Sequence, residues 1–405
     1  GLNRPDQEFI LWKKKNNFMT IFYISCSRVP SRAANSIHVM KMCSAFALNG
    51  WDTHLVTAKV SGDIEKGVTD IYQFYDVANN FELHRLPWVK VKNFALIYCL
   101  EILVLFFWLT IKQRVRPLCY SRYVMGLFFV SFFAKDTILE MHTLIGARGL
   151  ESYMFNSLTK KKNFRRLVVI SPALKRYYEQ SHPYLKNQIL VAHDGADIPR
   201  DDDSEKSPKI QSSMEFNLGY VGHLYQGRGV QTMLDIVNTV PNSHLHLIGG
   251  VESDITYWKG QIKHSNNVTI YGFLPPNIAS KYRLQFDVLL APYERKLSVH
   301  GSNMNTVKWM SPLKIFEYMS SQVPIIASDL PAIRDILTDE KTALLCDPDN
   351  TDQWVQAVKR LRKNPELAKK ISQNAYKDFV QKYPWEQRAQ QAVSDITYVP
   401  DYILK

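Results

Sequence analysis

The stretch from Met19 to Ala58 decides the fold: MTIFYISCSRVPSRAANSIHVMKMCSAFALNGWDTHLVTA. Its first seven residues form an apolar run typical of a buried strand, and residues 36–49 repeat apolar side chains near helical spacing. Gly50 follows as an expected helix stop, and Thr53–Ala58 forms a second strand-like run. A strand, a helix and a second strand at this length predict a βαβ unit with parallel strands.

The same alternation continues along the chain. Further strand-like runs lie at Asp136–Met141, Leu167–Ile170 and Gln188–Ala192 in the first half, and at Asn217–Val221, His244–Ile248, Val268–Tyr271, Val288–Ala291, Pro324–Ala327 and Ala343–Cys346 in the second. Helical patterns separate these runs. We therefore predict an α/β fold of two doubly wound, Rossmann-like parallel-sheet domains, with a ligand in the cleft between them.

The domain boundaries follow from length and patterning. A chain of 405 residues suits two domains of ordinary size. We predict an N-terminal domain over 19–198, joined by a C-terminal helix at 385–405, and a second domain over 213–384. Residues 199–212 lack apolar periodicity and are expected to be a linker. Residues 1–18 are expected to be a remnant or extension outside the fold.

The excess positive charge lies in the first half of the chain. Residues 1–200 contain 27 Lys and Arg against 15 Asp and Glu, whereas residues 201–405 contain 23 of each. Basic residues concentrate at 160–166 and at Lys112, Arg114 and Arg116. Such a patch indicates either a solvated helix face or an anionic membrane surface. We expect no nucleic-acid partner, because no RNA- or DNA-binding module is recognisable.

An apolar segment raises the question of a membrane span. Phe94–Thr110 is interrupted only by Glu101 among its 17 residues, and a second apolar run covers Tyr123–Phe133. This length is at the short limit for a span and a mid-membrane Glu is costly, so two buried elements are favoured. Shallow insertion of 94–134 beside lipid headgroups is a third interpretation.

The five cysteines are scattered and include no C-x-x-C pair. This pattern excludes a disulfide scaffold and argues against structural zinc. Free thiols and the lack of a recognisable signal peptide lead us to expect a cytoplasmic protein, with peripheral association at the inner face of the membrane as a further expectation.

The first site motif is SPLKIFEYMSSQVPIIASD over Ser311–Asp329, which predicts a helix start followed by a buried strand. Ser311 suits the N-cap and Pro312 the first helical position, and the amide groups of such a helix end attract phosphate. Glu317 in the second turn is placed to accept hydrogen bonds from a ribose diol. An ordinary amphipathic helix with a surface Glu explains the motif equally well.

The second motif is LGYVGHLYQGRGV over Leu218–Val230, a buried strand that leads into a glycine-bearing loop. Gly222, Gly227 and Gly229 allow the backbone to approach a ligand closely, and Arg228 is suited to clamp a diphosphate. The loop lacks the Walker lysine and does not match G-x-G-x-x-G, so neither common nucleotide fingerprint is present.

Together these motifs resemble the retaining glycosyltransferases of family 4, which have the GT-B fold. Further matches in family order are residues 30–40, Glu140-Met-His142, Ile170-Ser171, 193–197 and Pro384-Trp-Glu386. Two positions depart from the family pattern. His223 stands in place of the family's Arg, with Arg228 in place of its Lys, and Trp309 stands in place of the first Glu of its E-x7-E motif.

The resemblance implies a metal-free, cofactor-free transfer of a sugar, with retention, from a UDP- or GDP-sugar to a lipid-linked or surface glycan acceptor. It implies catalytic roles for His142, Arg228 and Glu317. It places the donor against Gly222, His223, Arg228, Ser311, Pro312, Leu313, Lys314 and Glu317, and gives an acceptor-side loop with Ser31, Arg32 and Asn35. The alternatives are a nucleotide-sugar epimerase of the same fold and a non-catalytic membrane-associated scaffold.

Overall fold

The computed structural model describes residues 19–59, 67–87, 94–113, 116–199, 210, 214–262, 266–297, 305–394 and 396. Residues 1–18 and most of the predicted linker lie outside these ranges. The chain divides into two units: the first contains Gly1–Val169, Lys175–Ala192 and Glu386–Lys405, and the second contains Ile170–Leu174 and His193–Trp385.

The first unit is built on a seven-stranded parallel sheet of order β3-β2-β1-β4-β5-β6-β7. The strands are β1 (Thr20–Arg28), β2 (Asp52–Lys59), β3 (Glu82–Pro87), β4 (Leu118–Ser121), β5 (Thr137–Met141), β6 (Phe164–Val169) and β7 (Ile189–Val191). The helices up to residue 188 are α1 (Ala34–Leu48), α2 (Ile71–Phe74), α3 (Phe94–Gln113), α4 (Val124–Val130), α5 (Leu150–Thr159), α6 (Pro172–Ser181) and a 3₁₀ helix (Pro183–Gln188). The predicted βαβ unit is confirmed, because β1 pairs in parallel with β2 and α1 connects them.

The second unit is built on a six-stranded parallel sheet of order β10-β9-β8-β11-β12-β13. The strands are β8 (Phe216–Val221), β9 (Ser243–Ile248), β10 (Val268–Gly272), β11 (Val288–Ala291), β12 (Ile325–Ser328) and β13 (Leu344–Cys346). The helices are α7 (Val230–Thr239), α8 (Glu252–Gln261), α9 (Pro276–Arg283), α10 (Leu313–Ser320), α11 (Pro331–Arg334), α12 (Thr351–Lys363) and α13 (Pro365–Lys382). The last helix, α14 (Trp385–Ala392), begins at the final residue of this unit and otherwise belongs to the first. Two hydrophobic clusters pack against this sheet. The predicted pair of parallel-sheet α/β domains is confirmed.

The sequence-based prediction missed two strands. Strand β3 mixes charged and apolar residues because it lies at the edge of its sheet and pairs with β2 alone. Strand β4 has only four residues, which are all buried. Both were too short or too polar to give an apolar run. At the other end of the chain, α14 ends at Ala392, so the predicted helix over 385–405 is shorter within the described residues.

Helix α3 packs one face against the first sheet. Tyr98 donates a hydrogen bond of 2.6 Å to the carbonyl oxygen of Ser25, and the ring of Phe106 lies 5.9 Å from that of Phe22 in β1. Among the described residues, α3 is the one helix that is long and apolar enough to cross a membrane. Its packing on the sheet favours the interpretation as an element of the domain.

A buried charge cluster ties the end of the chain to the first sheet. Glu140 in β5 and Arg388 in α14 are 1% exposed, and the guanidinium Nη2 lies 2.9 Å from the carboxylate Oε1. His38 Nε2 lies 2.8 Å from the same oxygen, and Tyr120 donates a hydrogen bond to Oε2. Burial raises the pKa of Glu140, but Arg388 and His38 outweigh it, so the pKa lies well below its usual value.

We expect Arg388→Leu to lower the stability of the chain at pH 7 by about 3–5 kcal/mol, because it leaves the Glu140 carboxylate buried beside fewer positive charges. The folded-state pKa of Glu140 lies below its unfolded value, so its stabilisation is present above about pH 4.5 and is lost as pH falls. The deficit of the variant should therefore shrink on acidification. Thermal unfolding between pH 4 and pH 8 measures the stability deficit of Arg388→Leu. The control is Arg360→Leu, which changes an exposed arginine. Equal unfolding midpoints for the two variants would contradict the prediction.

Candidate functional site

The predicted glycine loop follows β8 and makes a close approach to Lys314. Gly222 has a φ of +151°, and a Cβ atom there would lie 2.8 Å from the Lys314 Nζ. Gly229 adopts the left-handed conformation, with φ of +68°, at the N-terminus of α7. A side chain at either position would strain the backbone, and one at Gly222 would also displace the ammonium group. The loop is therefore shaped around a cation that is distant in sequence.

Arg228 lies against aromatic rings. Its guanidinium carbon lies 4.7 Å from the ring centre of Tyr225 and 5.5 Å from that of Tyr293, and one guanidinium nitrogen donates a hydrogen bond to the Tyr225 hydroxyl. Its Nε atom is buried and has no hydrogen-bond partner among the described residues. A buried donor without a partner is costly, so the side chain is suited to receive an anionic acceptor.

Lys314 supplies a second cation beside the first. Its ammonium group lies 3.6 Å from the ring centre of Tyr220 and 5.2 Å from that of Tyr293, and no Asp or Glu among the described residues lies within ion-pair distance. The side chain is 8% exposed. Burial and the nearby Arg228 charge hold the pKa of Lys314 well below its usual value. Arg228, Lys314 and the three tyrosines are hereafter the cation cluster.

The start of α10 differs by one residue from the prediction. The helix begins at Leu313 with Pro312 at the cap position, and no side chain caps it. The Ser311 hydroxyl instead accepts a hydrogen bond of 2.8 Å from the Asp194 backbone N–H, so the predicted Ser311 N-cap is wrong. The amide groups of the first turn, which include those of Leu313 and Lys314, therefore project from the helix without a side-chain acceptor. This end of α10 adds a partial positive charge beside the Lys314 ammonium group.

Glu317 lies on the second turn of α10, as predicted. Its side chain is 32% exposed, and Oε2 lies 3.6 Å from the Nη1 atom of Arg283. Arg283 is itself buried and also donates a hydrogen bond of 3.2 Å to the Ser321 hydroxyl. This bridge fixes the carboxylate and leaves it partly accessible, which suits a hydrogen-bond acceptor for a pair of hydroxyl groups.

Two other positions in the second unit carry departures from the family pattern. The His223 backbone carbonyl accepts a hydrogen bond of 2.6 Å from the Tyr220 hydroxyl, and its ring lies 5.3 Å from that of Tyr225. Trp309 is buried, and its indole N–H has no partner among the described residues. Trp309 supplies no carboxylate at its position, and the paired cations described above are those of the cation cluster.

In the first unit, His142 pairs with the buried Glu140. The His142 Nε2 lies 2.5 Å from the carboxylate, and its ring meets that of His38 edge-on at 4.8 Å. The carboxylate therefore fixes the orientation of the His142 ring. This contact ties the predicted catalytic histidine to the same charge cluster that holds α14.

The predicted acceptor-side loop is held by hydrogen bonds. The Ser31 backbone N–H donates to the Tyr75 hydroxyl at 2.7 Å, and the Ser31 and Ser36 hydroxyls lie 2.7 Å apart. The Asn35 backbone carbonyl accepts a hydrogen bond of 3.4 Å from Arg122. Arg32 is exposed in the same loop. Ser31 thus stabilises the loop, while Arg32 and Asn35 are the accessible members.

The sequence-based prediction found the cations of the site but not the groups around them. Tyr220, Tyr225, Tyr293 and Arg283 were not predicted, although they hold Arg228, Lys314 and Glu317 in place. Tyr220 and Tyr225 flank Gly222 in the loop motif, and this was the available signal. Tyr293 follows β11, and only the parallel arrangement of β8 and β11 brings it to the loop.

Comparison with known proteins finds a family match within the second unit. Residues 215–364 match the family described as Glycosyl transferases group 1. No curated protein sequence matches the chain significantly. The predicted enzyme class, a glycosyltransferase, is confirmed.

Solved structures agree with the fold. HepE from Anabaena in complex with UDP has a TM-score of 0.69 at 12% identity, covering 94% of this chain and 100% of that one. Sucrose-phosphate synthase from Thermosynechococcus elongatus has a TM-score of 0.66 at 16% identity, covering 92% and 97%. WaaG, a glycosyltransferase involved in lipopolysaccharide biosynthesis, has a TM-score of 0.61 at 11% identity, covering 93% and 100%. At these identities the likeness establishes the GT-B fold alone.

Lys314→Met is expected to stabilise the ligand-free chain at pH 7 by about 1 kcal/mol, because it removes a buried cation that lacks a carboxylate partner. The folded-state pKa of Lys314 lies below its unfolded value, so the cost of charging it is greatest at low pH and disappears as pH rises towards 10.5. The stabilisation by Lys314→Met should therefore become smaller as pH rises.

Thermal unfolding from pH 6 to pH 10 checks this expectation. The exposed Lys308→Met is the matched control and should leave the midpoint unchanged. A lower midpoint for Lys314→Met than for the parent chain would show that contacts with the tyrosine rings outweigh the burial cost, and the prediction would be wrong.

Proposed function

We propose that this glycosyltransferase moves a sugar from a nucleotide-diphosphate sugar to a lipid-linked or surface glycan acceptor, with retention of anomeric configuration and without a catalytic metal. The observation that carries the proposal is the cation cluster. Two cations without a carboxylate partner lie beside the uncapped start of a helix, in the unit that matches the family. This arrangement suits a diphosphate.

The cation cluster supplies the chemistry that such a transfer needs. Breaking the bond between a sugar and a diphosphate places negative charge on the leaving phosphate and positive character on the sugar. Arg228 and Lys314 stabilise that charge, and each charged hydrogen bond contributes about 1.5–3 kcal/mol. Two protein cations and a helix N-terminus thus take the role that a divalent ion plays in metal-dependent enzymes.

Glu317 gives the donor site its preference for a nucleotide. Its fixed, partly exposed carboxylate accepts hydrogen bonds from the two hydroxyl groups of a ribose. HepE has been crystallised with UDP and with UDP-glucose, which supports a uridine nucleotide over a guanosine nucleotide as the first donor to test. In the first unit, His142 keeps the catalytic role that the resemblance implies, and its ring is oriented by Glu140.

Product analysis distinguishes the proposal from its alternatives. Transfer yields a free nucleotide and a glycosylated acceptor, whereas an epimerase yields a sugar isomer and a scaffold yields neither. The configuration of the new linkage, read by proton NMR, tests retention. An inverted product would overturn the proposed retention of configuration and leave the proposed donor site unaffected.

Arg228→Ala should weaken the affinity for UDP by about 10- to 100-fold, because it removes charged hydrogen bonds to the diphosphate. Glu317→Gln should weaken it by a smaller factor, since the amide retains one acceptor oxygen for the ribose. Isothermal titration calorimetry measures both, with the exposed Arg360→Ala as control. Unchanged affinity in both variants would remove the proposed donor site.

The acceptor side of the proposal rests on the outward face of α3. Six large apolar side chains along this face are 41–74% exposed: Leu96, Leu100, Val104, Phe107, Trp108 and Ile111. Their spacing places them opposite the buried Tyr98, Ile102 and Phe106. A helix that is apolar on both faces and packed on only one presents a surface for another apolar phase.

Aromatic contacts link this face to the predicted basic patch. The ring of Phe107 lies 4.8 Å from that of Phe133, and the neighbouring Phe132 is 60% exposed. The Lys161 ammonium group lies 3.0 Å from the centre of the Phe132 ring, and the Lys112 ammonium lies 4.6 Å from that of Trp108. Lysines thus border the apolar face.

We propose that this surface docks on an anionic bilayer and so brings the enzyme to a lipid-linked acceptor. The apolar side chains enter the headgroup boundary, and the bordering lysines meet the lipid phosphates. WaaG, which shares the fold, acts in lipopolysaccharide biosynthesis, and this supports an acceptor of that kind.

Vesicle flotation tests the docking surface. The triple variant Leu100→Asn, Val104→Asn, Ile111→Asn should lose binding to phosphatidylglycerol vesicles, because it removes apolar area from the interface. Lys112→Glu, Lys161→Glu should weaken binding by about 10- to 100-fold on these vesicles and have no effect on neutral ones. The matched control is Leu48→Asn, Tyr257→Asn, Val380→Asn, three exposed apolar residues outside the surface. Parent-like flotation of the first triple variant would contradict the docking proposal.

A further inference from the structure

A histidine–glutamate cluster lies at the edge of the first sheet, outside every site described above. His54 on β2 pairs in register with Glu82 on the edge strand β3, and His84 follows two residues after Glu82. Side chains two apart on a strand point to the same side of the sheet, so the three groups meet on one face. The two histidines are 30 residues apart in sequence.

The three nearest atoms form a compact triangle. The His54 Nδ1 lies 3.1 Å from the His84 Nε2 and 3.3 Å from the Glu82 Oε2. The His84 Nε2 lies 3.6 Å from the same carboxylate oxygen. Each residue thus offers one metal-ligating atom, and the three atoms converge on one point.

This triangle has the dimensions of three corners of a zinc tetrahedron. Zinc binds nitrogen and carboxylate oxygen at about 2.0–2.2 Å, so two ligand atoms in a tetrahedral site lie about 3.3–3.5 Å apart. We infer that His54, Glu82 and His84 form a Zn²⁺ site. The Glu82 side chain is 51% exposed, which gives the ion an entry path and leaves the fourth position to water.

Asp52 contacts the other ring nitrogen of His54. Its Oδ2 lies 3.3 Å from the Nε2 of His54, the ring nitrogen that faces away from the triangle. Zinc-bound histidines characteristically donate this second N–H to a carboxylate, which fixes the tautomer and directs the lone pair of the first nitrogen towards the metal. The Asp52 and His54 side chains are 12% and 0% exposed, so the ring cannot readily turn away.

The other explanation of the cluster is an ion pair without metal. A protonated His54 would satisfy Asp52 and Glu82, with His84 as an acceptor, and Lys112 nearby would balance the remaining charge. That arrangement requires no ion and predicts no metal uptake. A zinc ion instead links β3 to β2 and so secures the edge strand of the sheet. The ion lies in the first unit, whereas the cation cluster lies in the second, so the inference is independent of the proposed donor site.

Metal content decides between the two. The full chain, expressed without a histidine tag and dialysed against Zn²⁺ buffer, should retain one zinc per chain by mass spectrometry. In titration calorimetry with Zn²⁺ we expect His84→Ala to lose affinity by more than about 100-fold and Asp52→Asn by about 10- to 100-fold. Arg85→Ala, which removes the exposed neighbour of His84 on β3, is the matched control and should bind zinc like the parent chain.

A second readout does not depend on activity. Zn²⁺ should raise the thermal midpoint of the parent chain and of Arg85→Ala, EDTA should reverse the rise, and His84→Ala should show neither effect. Sugar transfer is expected to survive EDTA, since the proposed mechanism uses no metal. Zinc uptake that is equal in the parent chain and in His84→Ala, or absent in both, would overturn the inference. Loss of transfer with EDTA that added metal restores would overturn the metal-free mechanism instead.

Discussion

Arg228 and Lys314 both lie over the ring of Tyr293, and the second unit is organised around keeping these two like charges together. Like charges repel, and burial removes the water that would otherwise screen them. The tyrosine rings offset part of this cost, because the face of an aromatic ring attracts a cation. The glycine at position 222 removes the side chain that would otherwise occupy the space of the ammonium group. An arrangement that lacks its counter-charge is preorganised for a ligand that brings one.

The first unit contains the opposite arrangement, a buried charge that is surrounded by its partners. The carboxylate of Glu140 lies in the core, and it is surrounded by an arginine, two histidines and a tyrosine that satisfy its charge and its lone pairs. Arg388 reaches it from α14, 248 residues along the chain. Removing one partner of such a buried pair is costly, because the remaining charge is left uncompensated. It also holds the His142 ring in one orientation, so structural and proposed catalytic roles share one carboxylate.

Helix α3 has apolar side chains on two faces. A core helix requires only one apolar stripe, whereas α3 has one buried stripe and one exposed stripe. The inner stripe packs on the first sheet, through Tyr98 and Phe106. The outer stripe is exposed and bordered by lysines, and the proposed docking on an anionic bilayer rests on these two features.

Much of the fold could be predicted from the amino-acid sequence. Buried parallel strands are continuous apolar runs, so the sequence predicted β1, β2 and the strands of the second sheet. The glycine loop and the Ser311–Asp329 motif likewise located the cations of the proposed donor site. The sequence did not predict the edge strand β3 or the short β4, because neither forms an apolar run.

The sequence also did not predict three sets of side-chain contacts in the structure. These are the tyrosines around Lys314, the Arg283–Glu317 bridge and the triangle of His54, Glu82 and His84. The spacing of the cysteines argued against structural zinc, but it gave no information about these histidines, which lie on two separate strands.

Local patterning fixes which residues form strands and helices, since hydrophobic period and turn chemistry act over a few residues. Only the packing of distant strands decides which polar groups meet, because those distances are set by sheet order and register.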